Sequence, residues 1–199
     1  MRLSCVTIVV LLLACVSTRA FAEPQPDAVV RQLYAVVVAH WPLGIPTGAD
    51  KTAIWPLLSK RLIREFETAQ ACEEDCLRQT PSTDKPRFAW LDLGLFSGGE
   101  EEAMQAAVVV ERTEPQRDGT FCVLVIFTYR DMYHRPPDPA DTIHWRGVVT
   151  VISEDGRFVV DDILLFEVNS TEVQSRLSQV LTRGCDGPRW VGHGKTRGR

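Results

Sequence analysis

Residues 142–168 read TIHWRGVVTVISEDGRFVVDDILLFEV, and this stretch indicates the fold. Thr142–Ser153 and Arg157–Val168 are both rich in Val, Ile, Leu and Phe, a composition typical of strands. Asp155-Gly156 between them is the kind of dipeptide that favours a tight hairpin turn. The stretch therefore predicts two long antiparallel strands joined directly to each other.

The rest of the sheet is predicted from the same signals. Ala103–Thr113 and Thr120–Arg130 are strand-like and are separated by the turn residues Asp118-Gly119. Phe88–Asp92 adds a short edge strand to this prediction. The sequence thus favours a mostly antiparallel sheet of four or five strands.

Helices are predicted on both sides of these strands in the chain. Asp27 can cap a helix that runs to His40, a second helix starts near Ala53, and a third covers Ser170–Arg183 and ends at Gly184. The predicted fold class is α+β, with N-terminal helices packed on a curved, mostly antiparallel sheet and a C-terminal helix. The apolar positions at helical spacing are Val29, Val30, Leu33, Val36, Val37, Leu58, Leu62, Ile63, Phe66, Val173, Leu177, Val180 and Leu181.

The N-terminus has the order of features found in a secretory signal. Arg2 precedes an apolar run, Val6–Leu13, and Ala20-Phe21-Ala22 follows as a cleavage pattern. We therefore predict a signal peptide over residues 1–22 and a single domain over residues 23–199, in the periplasm or secreted. The alternative is Leu12-Leu13-Ala14-Cys15, which is similar to the lipoprotein box and would leave the protein lipid-anchored at Cys15.

Charge argues against one large class of partner. The whole chain carries a formal charge of −4, and removal of the signal takes away Arg2 and Arg19 but no acid, so the mature chain becomes more acidic. Phosphate contacts need clustered Lys and Arg, so we expect no nucleic-acid binding. No later segment is long and apolar enough to predict a membrane span.

Four cysteines remain after cleavage, and an oxidising compartment favours disulfides among them. They are Cys72, Cys76, Cys122 and Cys185, which allow three pairings. One of these is a local Cys72–Cys76 bridge with Cys122 tied to Cys185. A zinc site from the same residues is less favoured because their spacing is not that of a ribbon or knuckle. No metal site and no cofactor is predicted.

The hairpin residues also carry a family resemblance. Trp145–Ile152 followed by Glu154–Ile163, with Leu57–Leu62 upstream and Gly94–Ser97 between, resembles an exported bacterial family of unknown function within the nuclear-transport-factor-like superfamily. The resemblance covers most of the mature chain and implies a cystatin-like roll, a cone with an open mouth. Members of that superfamily bind small apolar molecules, dimerise, or catalyse hydratase and isomerase reactions. The resemblance therefore allows a homodimer but supplies no specific activity.

One carboxylate is a candidate general base. Asp161 and Asp162 are adjacent on a predicted strand, so their side chains point to opposite faces. Asp162 shares its phase with Phe158, Val160 and Leu164 and is expected to face inward, where burial would raise its pKa. His144 and Tyr129 are its candidate partners. The competing interpretation is structural, with Asp162 accepting bonds from the backbone or from Arg146 or Arg130.

The favoured function at this level is non-enzymatic binding, because no complete catalytic set is visible. Four aromatic residues, Trp90, Phe127, Tyr129 and Trp145, are predicted to line a pocket for a small apolar molecule or an envelope protein. The alternatives are a lyase, isomerase or hydrolase that uses the pocket carboxylate, and an immunity or inhibitor protein.

Overall fold

The computed structural model describes residues 25–79, 88–91, 94–98, 105–129, 142–168 and 170–184. The predicted signal peptide, the alternative anchor Cys15 and Cys185 lie outside the described residues.

In the described part of the chain, three helices come before the strands and a fourth follows them. Helix α1 spans Pro26–His40, α2 spans Gly48–Ile54 and is extended by a 3-10 turn at Trp55–Leu57, and α3 spans Lys60–Gln79. Helix α4, Leu177–Arg183, is the last. Of the helices in the described ranges, none is long and apolar enough to cross a membrane.

The sheet has five antiparallel strands in the order β1-β2-β3-β4-β5. Their bounds are Gln105–Pro115, Phe121–Tyr129, Ile143–Glu154, Arg157–Phe166 and Val173–Arg176. The predicted α+β class is confirmed: N-terminal helices pack on an antiparallel sheet, and a helix follows it. The hairpin turn between β3 and β4 is also confirmed, since Asp155 and Gly156 both have positive φ, at 52° and 76°.

Two local predictions were wrong. Phe88–Leu91 forms a turn rather than an edge strand, and its rings point into the core. The fifth strand is instead β5, at the start of the stretch predicted as the last helix. Val173–Arg176 pairs with Leu164–Phe166, so backbone bonding to an open sheet edge overrides the helical spacing of Val173 and Leu177.

All the helices contribute to one core on one side of the sheet. Helix α1 packs across β1, β2, β3 and β4, and α3 packs on α4 and β4. The buried side chains of β2, β3 and β4 meet those of the helices in a single cluster. We call this side the inner face.

A β-bulge divides β4 into two halves. Val160 pairs with Val151 and Asp162 pairs with Thr150, so Asp161 is an extra residue without an opposite partner. The core positions accordingly change from Val160 before the bulge to Ile163 and Leu165 after it. This shift removes Asp162 from the inward phase of Val160, and the prediction that Asp162 shares the face of Phe158 and Val160 was wrong.

Candidate functional site

The interior beneath α1 is filled by the protein's own rings. Trp90, Phe127 and Trp145, three of the residues predicted to line a pocket, are 1%, 0% and 8% exposed. Phe127 stacks on Trp145 with ring centroids 5.3 Å apart, and the Trp145 indole donates a hydrogen bond of 2.7 Å to the carbonyl of Ser97. The rings of these three residues therefore belong to the core, and of the three Trp145 also borders a groove on the other side of the sheet.

Tyr129, the fourth predicted ligand-binding residue, is half-buried at the end of β2 and packs against the same cluster. A different tyrosine occupies the centre. Tyr34 contacts Phe127 edge-on and donates to the carbonyl of Phe96 at 3.0 Å. Burial raises the pKa of Tyr34, so its hydroxyl stays neutral and acts as a fixed donor.

One glycine explains how the rings fit. A Cβ atom at Gly147 would lie 2.8 Å from Phe127 and 3.1 Å from Val125, closer than side chains normally approach. The missing side chain on β3 leaves the volume that the ring on β2 occupies. The packing of the Phe127 ring therefore requires a residue without a Cβ atom at position 147.

The other side of the sheet, which we call the outer face, carries a row of apolar side chains that lies outside the core cluster. Leu124, Val148 and Leu164 are opposite one another on β2, β3 and β4, and all three are half-buried. Ile126 extends this surface towards Val109, which is 54% exposed. An apolar surface of this kind is typical of a contact region for another macromolecule.

A groove of about 860 Å³ lies at one end of the outer face. Its floor comes from β2 and β3, and its wall is the loop between β4 and β5, which is closed by a bond from Glu167 N to the carbonyl of Glu172 at 3.1 Å. Charges of opposite sign face the groove from its floor and its wall. The lining residues are Ile126, His144, Trp145, Arg146, Glu167, Ser170, Thr171 and Glu172.

The predicted catalytic pair is not assembled. His144 lines the groove and its Nδ1 lies 3.2 Å from the hydroxyl of Thr128. Asp162 is opposite Thr150, which follows His144 by six residues on β3. At about 3.3 Å per residue this puts the two groups roughly 20 Å apart. Tyr129 does not bridge them, because it packs against the inner cluster.

Asp162 instead caps α4 from the neighbouring strand. Its carboxylate accepts bonds from the Ser178 amide at 3.1 Å, the Ser178 hydroxyl at 2.8 Å and Arg176 Nη1 at 2.9 Å. It also accepts from the amide of Ile163 at 2.9 Å. The start of a helix has unpaired amide groups, and a carboxylate there satisfies them and interacts well with the helix dipole. The structural interpretation of Asp162 is thus supported, with Arg176 as the guanidinium partner.

Asp161, the bulged residue, holds the start of α3. It accepts a bond of 2.6 Å from the hydroxyl of Ser59 and a bond of 2.9 Å from Arg61 Nη2. The Ser59 hydroxyl in turn accepts from the amide of Leu62 at 3.0 Å, as an N-cap residue does. Neighbouring aspartates therefore anchor two different helices.

Glu65 is the third carboxylate at this place, and no local pattern around it indicates its role. Its Oε1 accepts a bond of 2.5 Å from Arg61 Nη1, whereas Oε2 is buried and has no hydrogen-bond partner among the described residues. Burial raises the pKa of Glu65, and the charges of Asp162 and Asp161 add to the rise, although Arg61 opposes it. These three carboxylates and the residues that bind them form a cluster that we call the carboxylate junction. Its members are Ser59, Arg61, Glu65, Asp161, Asp162, Arg176 and Ser178.

The cysteines do not follow the predicted pairings. Cys76 is buried on α3 and Cys122 is half-buried on β2, and neither is part of a disulfide, so the Cys72–Cys76 bridge and a bridge from Cys122 to Cys185 are both absent from the described residues. Cys72 is disulfide-bonded, and no disulfide joins two described cysteines. Burial raises the pKa of Cys122, with a contribution from Glu114, which makes its thiol a poor nucleophile.

Within the described ranges, no three His, Cys, Asp or Glu side chains are grouped so that they could hold a metal ion. Comparison of the chain with protein-family models, with curated protein sequences and with solved structures gave no match.

Proposed function

We propose that this chain is an exported, non-enzymatic domain with a cystatin-like roll, which binds a protein partner through the outer face of its sheet. The observation that carries the proposal is the contrast between a filled interior and an apolar surface that none of the described helices covers. Phe127, Trp145 and Trp90 fill the interior in which the sequence predicts a pocket for a small apolar molecule. Leu124, Val148 and Leu164 lie outside that core.

The groove next to this surface would form the polar edge of the same interface. Protein interfaces commonly combine an apolar centre with charged and hydroxyl groups at the edge. Arg146 and His144 on one side, and Glu167 and Glu172 on the other, supply such groups. An envelope protein is therefore favoured over a small apolar ligand as the partner.

Site-specific photo-crosslinking in the native envelope tests the proposal. A photoreactive amino acid at Val109, which is 54% exposed on the outer face, should give one discrete adduct. The matched control carries the same group at Arg64, which is exposed on α3, and should give none. Adding Leu124→Asp should remove the adduct, since it places a charge in the apolar centre.

The mass of the adduct distinguishes the partners. An increase equal to a second copy of the chain indicates a homodimer, and any other discrete protein mass indicates an envelope partner. Equal labelling from Val109 and Arg64, or none from Val109, would contradict the proposal. A small-molecule adduct in native mass spectrometry of the purified mature chain would instead favour a ligand site.

A further inference from the structure

The charges of the carboxylate junction do not balance. Three carboxylates, from Glu65, Asp161 and Asp162, share two guanidinium groups, from Arg61 and Arg176. The junction is also sheltered, since the three carboxylate side chains are 20%, 19% and 7% exposed in that order. Like charges interact strongly in such surroundings, so a net negative charge is costly unless one carboxylate takes up a proton.

The hydrogen bonds show which carboxylate this is. Both oxygens of Asp162 have donors from β4, β5 and α4, and both oxygens of Asp161 have donors from Ser59 and Arg61. Only Glu65 has an oxygen, Oε2, that is buried without a partner. An ionised oxygen in that state loses its hydration and gains nothing in return. Glu65 is therefore the proton-accepting member.

We propose that the carboxylate junction is a proton-operated clamp, in which Glu65 holds a proton in acidic surroundings and thereby fastens α3 and α4 to β4. Protonation of Glu65 leaves two carboxylates facing two guanidinium groups. Arg61 is then free of competition between Glu65 and Asp161, and Asp162 keeps its cap on α4. Loss of the proton as the pH rises restores the excess negative charge and loosens both helices.

The sign of the pH dependence follows from the raised pKa of Glu65. The folded state binds this proton more tightly than the unfolded state, whose Glu residues titrate near about 4.3. The stabilisation is fully present below that value and is lost as the pH rises through the higher pKa of the folded state. The charged groups that face Glu65 are Arg61 on α3 together with Asp161 and Asp162 on β4, and Arg176 lies beyond Asp162 on β5.

Glu65→Gln tests the clamp, because glutamine has the same shape and carries no charge. The melting temperature of the purified mature chain is measured from about pH 5 to about pH 8, without reductant, for the native sequence and the variant. We expect the variant to melt roughly 2–4 °C higher at the upper pH, and the difference to close towards the lower pH. Glu67→Gln, at an exposed position on the same helix, should melt like the native chain throughout.

A direct titration gives a second, independent result. The carboxyl carbon signal of Glu65 in the native chain, assigned by its absence in Glu65→Gln, should titrate above the ordinary range of glutamate. Amides of α3 and α4 should exchange more slowly in Glu65→Gln than in the native chain at the upper pH. A titration midpoint at or below the ordinary value, or a melting difference that is constant with pH, would overturn the clamp. A lower melting temperature of the variant at every pH would also overturn it.

Discussion

Two adjacent residues of helix α3 contact two different regions, the aromatic interior and the carboxylate junction. Phe66 stacks on Phe96 in the aromatic interior, with ring centroids 5.8 Å apart, whereas Glu65 lies in the carboxylate junction. The interior is stabilised by shape and burial, which are nearly independent of pH. The junction is stabilised by ion pairs and hydrogen bonds, and its net charge changes when one of its carboxylates gains or loses a proton. One helix is thus fixed by two mechanisms that respond to different conditions.

We expect the largest loss of stability from a substitution in the aromatic interior. Phe127→Ala removes a ring that is 0% exposed and stacked on Trp145, and the narrow space left by Gly147 stays empty. We expect the free energy of unfolding to fall by about 3–5 kcal/mol, as measured by urea denaturation, with the same loss at acid and neutral pH. Val109→Ala, on the exposed outer face, should cost about 0.5 kcal/mol or less. A small loss for Phe127→Ala would mean that the interior tolerates a cavity and could admit a ligand.

A smaller loss of stability is expected from a substitution in the carboxylate junction at the start of α4. Asp162→Asn replaces one acceptor oxygen by a donor that faces the Ser178 amide or Arg176, and we expect a loss of about 2 kcal/mol in the free energy of unfolding. Asp155→Asn, whose bond to Lys60 lies at the surface, should leave the free energy of unfolding close to that of the native chain. Unchanged stability of Asp162→Asn together with loss of a measurable activity would restore the catalytic interpretation of Asp162.

The smallest loss of stability of the three is expected from a substitution at the start of α3. Ser59→Ala removes the N-cap bond to Leu62 and the donor to Asp161, and a loss of about 1 kcal/mol is expected. Thr68→Ala, exposed in the middle of the same helix, serves as the control and should leave thermal unfolding unchanged. If Ser59→Ala behaves like the control, Asp161 is held by Arg61 alone.

Sequence reasoning reached the strands and helices because their signals are local. The alternation in Thr142–Ser153 and the turn at Asp155-Gly156 depend on neighbouring residues, and both appear in the structure. The bulge at Asp161 does not have a signal of this kind, because it arises from pairing between β3 and β4. A strand read without the bulge places Asp162 on the wrong face.

The candidate site was less accessible to prediction for a related reason. Large aromatic residues suit a pocket wall and a core equally well, and only their mutual packing shows that Phe127 and Trp145 stack on each other. Arg61 and Asp161 are 100 positions apart in the chain, and no spacing rule connects them. Buried charge networks of this kind depend on the fold as a whole.

The extra residue in β4 also has a consequence for changes in chain length. Loss of the codon for Asp161 alone would leave Val160 and Ile163 facing the core, so the strand could close its ladder at the expense of one anchor for α3. Loss of the Asp162 codon gives the same protein, because Asp161 then takes the place of Asp162. Loss of a codon elsewhere in the strand would instead invert the facing of one half and turn a carboxylate towards the rings. Natural or engineered length variants of this domain should therefore tolerate a single deletion in β4 only within this pair of aspartates.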